Sequence, residues 1–455
     1  MNKTLRASII TLPFLIAFGF ALPGTDGPVQ IPANEQRDGD AQKGYEYLTK
    51  GDFLKSGLPY GVFVMNSGKD NENLLQRTGK NATVGYGYNV IEHKGIEMVI
   101  PTCLQCHAAE FDGQLVIGLG NTSLDFSNTS KTDFSGRINM LRNMAPKQYE
   151  AAAPFLTAFA TSYPLMETEV RGVNTADRLA AILAAHRNPQ TLQWSDTPLL
   201  AIPEGVIPTD VPAWWLLKKK NAMFYTGFGR GNFAQFMMLS NLLTVTDTAE
   251  AREVSSHFSN VLAYIRSLEA PPYPQEIDRK LAKKGRTLFN DNCSGCHGTY
   301  GKDGAYPNLL IPASVVQTDS MLCGEIMRNQ QFIEWFNNSW FVQGDNPAQL
   351  VPFNGYIAPP LDGVWVTAPY MHNGSVPTLE GMLNSKIRPT YWSRDFKNPV
   401  YDYQSLGWKY KEEEKPERRK VYNTTLPGYS NHGHYFGDAL TQSERAAVIE
   451  YLKTL

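Results

Sequence analysis

Cysteine is scarce: the chain has 5 in 455 residues. Four of them stand in two tight pairs, Cys103/Cys106 and Cys293/Cys296, and Cys323 stands alone. That is too few, and too clustered, for a disulfide scaffold. An excess of charge is missing as well. The 42 basic and 44 acidic residues leave a formal net charge of −2, so no basic field invites nucleic acid. After residue 21 no apolar run is long enough for a helical membrane span. The one uncharged apolar run, Ala7 to Ala21, follows Lys3 and Arg6. At about 15 residues it is short for a span, and Pro13 interrupts it. With Gly19 and Ala21 supplying small residues, it reads as a cleaved signal peptide at 1–21. The expected location is the periplasm or outside the cell, with no membrane span after cleavage.

Two segments of the chain end alike. Val261 to Leu268 and Val448 to Leu455 both carry apolar residues at helical spacing. Thr441 and Glu444 form a capping-box pattern before the second. Pro271, Pro272 and Pro274 mark a linker after the first, and the spacing then predicts a helix from near Gln275 to Phe289. The division expected is therefore 22–270 and 275–455. Within the first part, residues from roughly 120 to 210 read as partly insertion. They hold a polar Asn/Ser/Thr run at 121–132 and helical patterns near 145–160 and 174–186. The charged stretch between 408 and 420 reads as a solvated surface loop.

A histidine follows each cysteine pair at once, in Cys103-Leu104-Gln105-Cys106-His107 and Cys293-Ser294-Gly295-Cys296-His297. In this pattern the thiols add across the two vinyl groups of a haem and the imidazole binds the iron. A four-cysteine zinc site would have to join pairs far apart in sequence and leave both histidines unused. Two covalently bound c-type haems are expected, attached at Cys103, Cys106, Cys293 and Cys296, with His107 and His297 as iron ligands. The fold class expected is mainly α: two cytochrome c-like haem domains with long irregular loops and an insertion in the first.

Lys284-Gly285-Arg286-x-Leu288-Phe289 and Gly298 flank the second motif and resemble the start of a class I cytochrome c domain. Ala368-Pro369-Tyr370-Met371-His372-Asn373-Gly374-Ser375, followed by Thr378-Leu379, resembles the bacterial dihaem cytochrome c peroxidase superfamily. Asp210 to Trp215, Ala358 to Trp365, Asn373 to Leu379 and the ending from Gly433 are most similar to the branch containing the dihaem rubber oxygenases. The likeness is dense after 275 and patchy before 200.

This resemblance implies His434 as second axial ligand of an electron-transferring haem at His297. It implies that His372 lies near haem edges or propionates, with Met371 or His372 as fallback ligand. It implies a reactive haem at His107 with an exchangeable sixth position. Tyr225 matches the aromatic residue carried between the haems, and Trp214, Trp215 and Tyr225 are candidates for an electron path, against a plain reading as aromatic core. Lys218, Lys219 and Lys220 are candidates to pair with propionates, against a solvated lysine run. Calcium between the domains, as in some relatives, is left open. His432 reads as a surface residue and His257 as a partly exposed helix residue.

Peroxide cleavage needs proton transfer beside the iron. The superfamily's peroxidases place Gln and Glu after the bridging aromatic residue. Gln235 stands about where the Gln belongs, and no Glu occurs between Gly231 and Thr248. Phe, Met and Leu fill the segment, either as an apolar distal pocket or as core. Three functions compete. One is a peroxidase fed by a small c-type cytochrome or cupredoxin, with Gln235, Tyr225, Trp215 and Trp214 as catalytic candidates. The others are an O2-activating oxygenase of an apolar alkene and a non-enzymatic electron carrier.

Overall fold

The computed structural model describes residues 27–455, so the leader expected at 1–21 lies outside them. Helix accounts for 39% and strand for 13%, the strands forming short two- and three-stranded sheets.

Two helix pairs, one on each side of the proline linker, repeat the same contact. Ala41–Lys50 is capped by Asp40, which accepts the Lys43 N–H at 3.1 Å, and packs on Thr248–Ser267. A side-chain carbon on Gly44 would collide with the Asn260 carbonyl, so glycine lets the two backbones touch. Arg279–Asn292 packs on Gln442–Leu452, with Gly285 against the Ala447 carbonyl. Asp278 caps the first of these, accepting the Lys280 and Leu281 N–H groups at 2.9 Å. The helix therefore starts at Arg279 rather than near Gln275. Thr441 and Glu444 form the expected capping box.

The stretch before the first motif departs from the second. A hairpin of Tyr88–His93 and Ile96–Pro101 intervenes between its helix and Cys103. Lys94 (φ 52°) and Gly95 (φ 72°) make its turn, and two successive left-handed residues suit the twist of a tight hairpin. Buried Arg77 ties this hairpin to the helix by donating to the carbonyls of Thr49, Tyr88, Val84 and Gly85. Between the first motif and residue 210, Pro146–Ser162 and Ala176–Ala185 lie where helices were expected, and Ser135–Met144 precedes them.

The stretch from 408 to 420 is exposed along most of its length, as expected of a solvated surface loop, and two short pairings anchor it. Gly407–Trp408 pairs with Tyr401–Asp402, and Lys411–Glu412 with Tyr391–Ser393. The Trp408 indole donates to the Ala368 carbonyl at 2.9 Å. Half-burying one aromatic body with its N–H satisfied holds the start of the stretch down while the neighbouring charges stay exposed.

Neither main core respects the 271–275 linker. One joins Phe53, Ile100, Phe155, Phe236 and Phe258 to Phe336, Trp340 and Phe341; the rings of Phe236 and Phe336 stack 5.1 Å apart. The other joins Phe289, Trp365, Tyr370, Val448 and Tyr451 to Phe111, Leu119 and Trp215. Phe233, Phe236, Met238 and Leu242 are buried in such clusters, so these members of the apolar segment are core.

Gly285→Ala tests the helix contact. Alanine gains about 1 kcal/mol of helix propensity, but overpacking costs about 1–3 kcal/mol. A net loss is expected, read as a lower denaturation midpoint with unchanged slope; an unchanged midpoint would refute the tight contact.

Candidate haem sites

Both cysteine motifs fold into the same turn. His107 N–H reaches the Cys103 carbonyl at 3.0 Å, and His297 N–H reaches the Cys293 carbonyl at 3.1 Å. One helical turn places the two thiols along one edge and the imidazole beyond them. After the second motif Gly298 adopts φ 80°, and a side-chain carbon there would strike the Ala305 carbonyl. Ala108 instead opens the strand Ala108–Phe111. No disulfide joins the four motif cysteines. Burial pushes the Cys103 thiol up to about 12 and the Cys293 thiol up to about 11. Among the described residues no group of three or more His, Cys, Asp or Glu is disposed to hold a metal ion. The four-cysteine zinc reading therefore fails.

The second site is built in full. The His297 Nδ1–H donates to the Pro359 carbonyl at 2.8 Å, which fixes the tautomer and leaves Nε2 as a lone-pair donor. Tyr300 and Tyr306 brace that carbonyl's strand: the Leu361 N–H donates to Tyr300 Oη, and Tyr306 Oη donates to the Ala358 carbonyl, both at 2.6 Å. His434 faces His297 with ring centroids 6.1 Å apart at 60°. Two metal–nitrogen bonds of about 2 Å each, plus the two ring half-widths, come to roughly the same span. His434 is held in a left-handed conformation (φ 49°), and its N–H donates to the Val316 carbonyl at 2.7 Å. Arg388 clamps this loop by donating to the carbonyls of Asn431, Gly433 and His434. Burial, then the nearby His297, lowers the His434 pKa to about 4; burial also lowers that of His297. Both imidazoles are neutral at physiological pH, as metal ligation requires.

The first site is half as furnished. Burial lowers the His107 pKa to about 3, opposed by the Pro212 carbonyl, yet His107 Nδ1 makes no hydrogen bond of normal geometry. The Trp214 ring stacks on His107 at 4.6 Å and 20°. Among the described residues no second imidazole faces it. Trp215 is fully buried in the core, its indole donating to the Asp362 carbonyl at 2.8 Å. Gln235 sits on the helix Phe233–Met237; its Nε2 lies 3.5 Å from Ser255 Oγ, and its buried Oε1 has no partner.

Between the two sites, loops of the same shape cross. The Asp210 N–H donates to the His372 carbonyl and the Ile357 N–H to the Tyr225 carbonyl, each at 2.7 Å. Met223 bridges Gly229 as Tyr370 bridges Val376. Phe224 and Met371 adopt φ 70° and 72°, Gly227 and Gly374 φ 62° and 68°. One sequence offset carries Asp210 onto Ile357, Pro212 onto Pro359 and Tyr225 onto His372. Such reciprocity marks a local two-fold relation. The side chains at the crossing differ. Tyr225 Oη donates to Asp210 Oδ2 at 2.9 Å, and burial pushes the Asp210 carboxyl up to about 7. His372 stacks on Tyr356 at 4.4 Å, with Nε2 3.3 Å from Tyr356 Oη. Met371 Sδ lies 3.5 Å from Thr318 Oγ1. The fallback ligands Met371 and His372 thus have protein partners of their own, while His434 faces His297.

Pro212, Pro359, Arg388 and the role of Asp210 escaped sequence reasoning. The signal available was the equal spacing from Pro212 to Gly227 and from Pro359 to Gly374. His257 is a partly exposed helix residue, stacked on Tyr47, and exposed His432 meets only Ser430, as expected of both.

Two outcomes check these assignments. In a His434→Ala variant the haem at the second motif should lose its low-spin absorption signature; an unchanged spectrum would remove His434 from the ligand set. Burial also lowers the His372 pKa from 6.5 to about 3. The unfolded chain therefore takes up a proton first, and stability present above pH 6.5 is lost as pH falls toward 3. A His372→Phe variant, keeping the stack on Tyr356, should lose less stability between pH 7 and 4.5. Equal slopes in denaturant midpoints would contradict this.

A cytochrome c family model matches residues 282–321, and one described as "RoxA-like, cytochrome c-like" matches residues 355–393. The chain is 29% identical over 254 residues to the uncharacterized protein y4iJ of Sinorhizobium fredii (strain NBRC 101917 / NGR234), covering 41% of each chain. It is 25% identical over 228 residues to the uncharacterized protein y4iM of the same strain, covering 46% of this chain and 51% of that one. The chain thus spans about half, or less, of these relatives' length. The matched segments hold the second haem motif, the Pro359 carbonyl and the crossing loop with His372. A cytochrome c segment holding the second motif and a RoxA-like cytochrome c segment after it support a c-type cytochrome with covalently bound haem.

Proposed function

We propose that the protein is an exported dihaem oxidoreductase that relays electrons from a small redox protein, through the His297 site, to peroxide at the His107 site. One observation supports this above others: a second imidazole faces His297 with ring centroids 6.1 Å apart, and among the described residues none faces His107. Haem, when bound, supplies one-electron exchange at its iron. His297, tied to the Pro359 carbonyl, and His434, both neutral, would close one site and suit it to transfer rather than substrate binding. Trp214 stacks on His107, and the Tyr225 carbonyl receives the Ile357 N–H, two residues before Pro359. Beside His434, Tyr435 and Phe436 are 44% and 46% exposed, an apolar contact for a cytochrome or cupredoxin donor.

Reducing peroxide to two waters consumes two electrons and two protons. Gln235 offers a hydrogen-bond acceptor but no proton. Asp210, with its carboxyl near 7, exchanges a proton readily at neutral pH, and Tyr225 is its hydrogen-bonded partner.

A second reading is an oxygenase acting on an apolar alkene. Two features favour it: no Glu lies between Gly231 and Thr248, and Met223, Ala234 and Met237 pack in the cluster beside Cys103. Rapid mixing separates the two. The reduced protein should be oxidised by hydrogen peroxide and turn over with a reduced small cytochrome, while O2 leaves its spectrum unchanged. An O2 complex without peroxide turnover would install the second reading, and inertness to both would leave an electron carrier.

A further inference from the structure

Tyrosine hydroxyls around the crossing loops have two kinds of partner. Tyr370 donates to the Val364 and Leu406 carbonyls at 3.0 Å, and Tyr422 to the Asn373 carbonyl at 2.8 Å. Tyr356 donates to the Asp319 carbonyl at 2.6 Å. A backbone carbonyl accepts a hydrogen bond but does not keep the proton. Tyr225, alone of this group, donates to a carboxylate, Asp210 Oδ2, at 2.9 Å. A carboxylate can keep it.

Tyr225 is bonded at both of its ends. Its hydroxyl holds Asp210, two residues before Pro212, and the Pro212 carbonyl reaches His107 closely enough to oppose the fall in its pKa. Trp214, two residues further on, stacks on His107 at 4.6 Å. The carbonyl of Tyr225 accepts the Ile357 N–H at 2.7 Å. Ile357 stands two residues before Pro359, whose carbonyl accepts the His297 Nδ1–H at 2.8 Å. Two residues of chain span at most about 7 Å. From Pro212 to His297, every link is therefore a hydrogen bond or a short covalent run, with one phenol in the middle.

A phenol that loses an electron away from water becomes a costly cation unless its proton leaves as well. Tyr225 does not release that proton beforehand: burial, then the Asp210 charge, raises its pKa well above 10. Burial pushes the Asp210 carboxyl up to about 7, against the Tyr225 hydrogen bond and the Arg394 charge. Asp210 is thus too weak a base for the resting phenol, and strong enough for an oxidised one. The other half lacks this device, since Ile357 stands at the position matching Asp210 and His372 at that of Tyr225.

We propose that Tyr225 and Asp210 form a proton-coupled redox pair on the path between the two sites. The inference rests on the peroxide reading above. Tyr225 gives one electron to the His107 site after peroxide has oxidised it, and its O–H bond breaks as the proton passes to Asp210 Oδ2. A neutral tyrosyl radical and a carboxylic acid remain. One electron from the His297 site reduces the radical, and Asp210 returns the proton to the phenol oxygen. One electron has then crossed, and the pair is restored.

Haem content and the low-spin spectrum are read first, so that a variant that has lost its fold or its haem is recognised. The protein with both haems oxidised is then mixed with hydrogen peroxide and freeze-quenched for electron paramagnetic resonance. No electron arrives from the His297 site in that state, so a tyrosyl radical should accumulate. Its signal should narrow with ring-deuterated tyrosine and be absent from Tyr225→Phe. A radical that survives in Tyr225→Phe would overturn the pair. So would the absence of any radical while peroxide changes the haem bands, and the peroxide reading would then still stand. With the His297 haem reduced beforehand, its oxidation after peroxide should be slower in D2O than in H2O. It should be about a hundredfold slower in Asp210→Asn, which can accept the hydrogen bond but not the proton. Equal rates in H2O and D2O, or in wild type and a folded Asp210→Asn, would overturn the pair. The radical and isotope measurements use the wild-type chain and hold whether or not a variant folds. Haem bands that peroxide leaves unmoved would remove the peroxide reading and this inference with it, a failure seen before any radical is sought.

Discussion

A buried imidazole has to be neutral, and one of its nitrogens has to be committed elsewhere, before the other can bind iron. That constraint organises the second site. Water would supply the proton that blocks ligation, so His297 and His434 are placed where charging them is costly. The Pro359 carbonyl takes the Nδ1 proton of His297. The carbonyl must itself stay fixed, and the tyrosines at 300 and 306 hold the chain on both sides of it. His434 is different: its Nδ1 is buried without a hydrogen-bond partner, and the position of its ring is set through its backbone. Its loop is pinned through three carbonyls by one guanidinium, which leaves the imidazole free of structural duties.

The crossing loops follow from the same need. A strand that presents a carbonyl to a ligand histidine has N–H groups to satisfy, and each such strand satisfies one on the opposite loop. The Ile357 N–H, just upstream of Pro359, is received by the Tyr225 carbonyl, and the Asp210 N–H, just upstream of Pro212, by that of His372. Neither loop can shift without disturbing the strand that faces the other histidine. This is a contiguous physical connection between the sites, made of hydrogen bonds and short covalent spans. It requires no long-range rearrangement for one site to sense the backbone of the other.

Legibility in the sequence tracked how local the physics was. The haem motifs are a single turn of chain, and their spacing alone announces them. The capping box and the helices near 145–160 and 174–186 are equally local. Gly44 was legible in principle, because Lys43-Gly44-x-x-x-Leu48 echoes Lys284-Gly285-x-x-Leu288-Phe289, but the hairpin between it and Cys103 removes the adjacency that makes the second copy obvious. The shared cores were not legible. Nothing in the pattern around Phe336 says that its ring will meet Phe236 across the linker, since burial by a distant partner leaves no periodic trace. The charged run after Trp408 is largely exposed, as its composition suggests, but the half-buried indole that anchors it on the Ala368 carbonyl leaves no trace in a count of charges.

A two-fold scaffold carrying identical chemistry at both ends would make two equivalent haems, and this chain breaks the equivalence by substitution at matched positions. Asp210 stands where the other half has Ile357, and Tyr225 where it has His372. Lys220 and Arg230 stand where it has Thr367 and Pro377. Asp210, Lys220 and Arg230 put ionisable groups where the other half has none, whereas Tyr225 and His372 are ionisable alike. A half-buried charge is expensive wherever it serves nothing, and a symmetric fold offers an uncharged solution at each position, already used by its own other half. The cost is therefore borne on the side of the first motif, which suits the reactive role proposed for His107. The closed pair of imidazoles at His297 sits on the side that stays neutral.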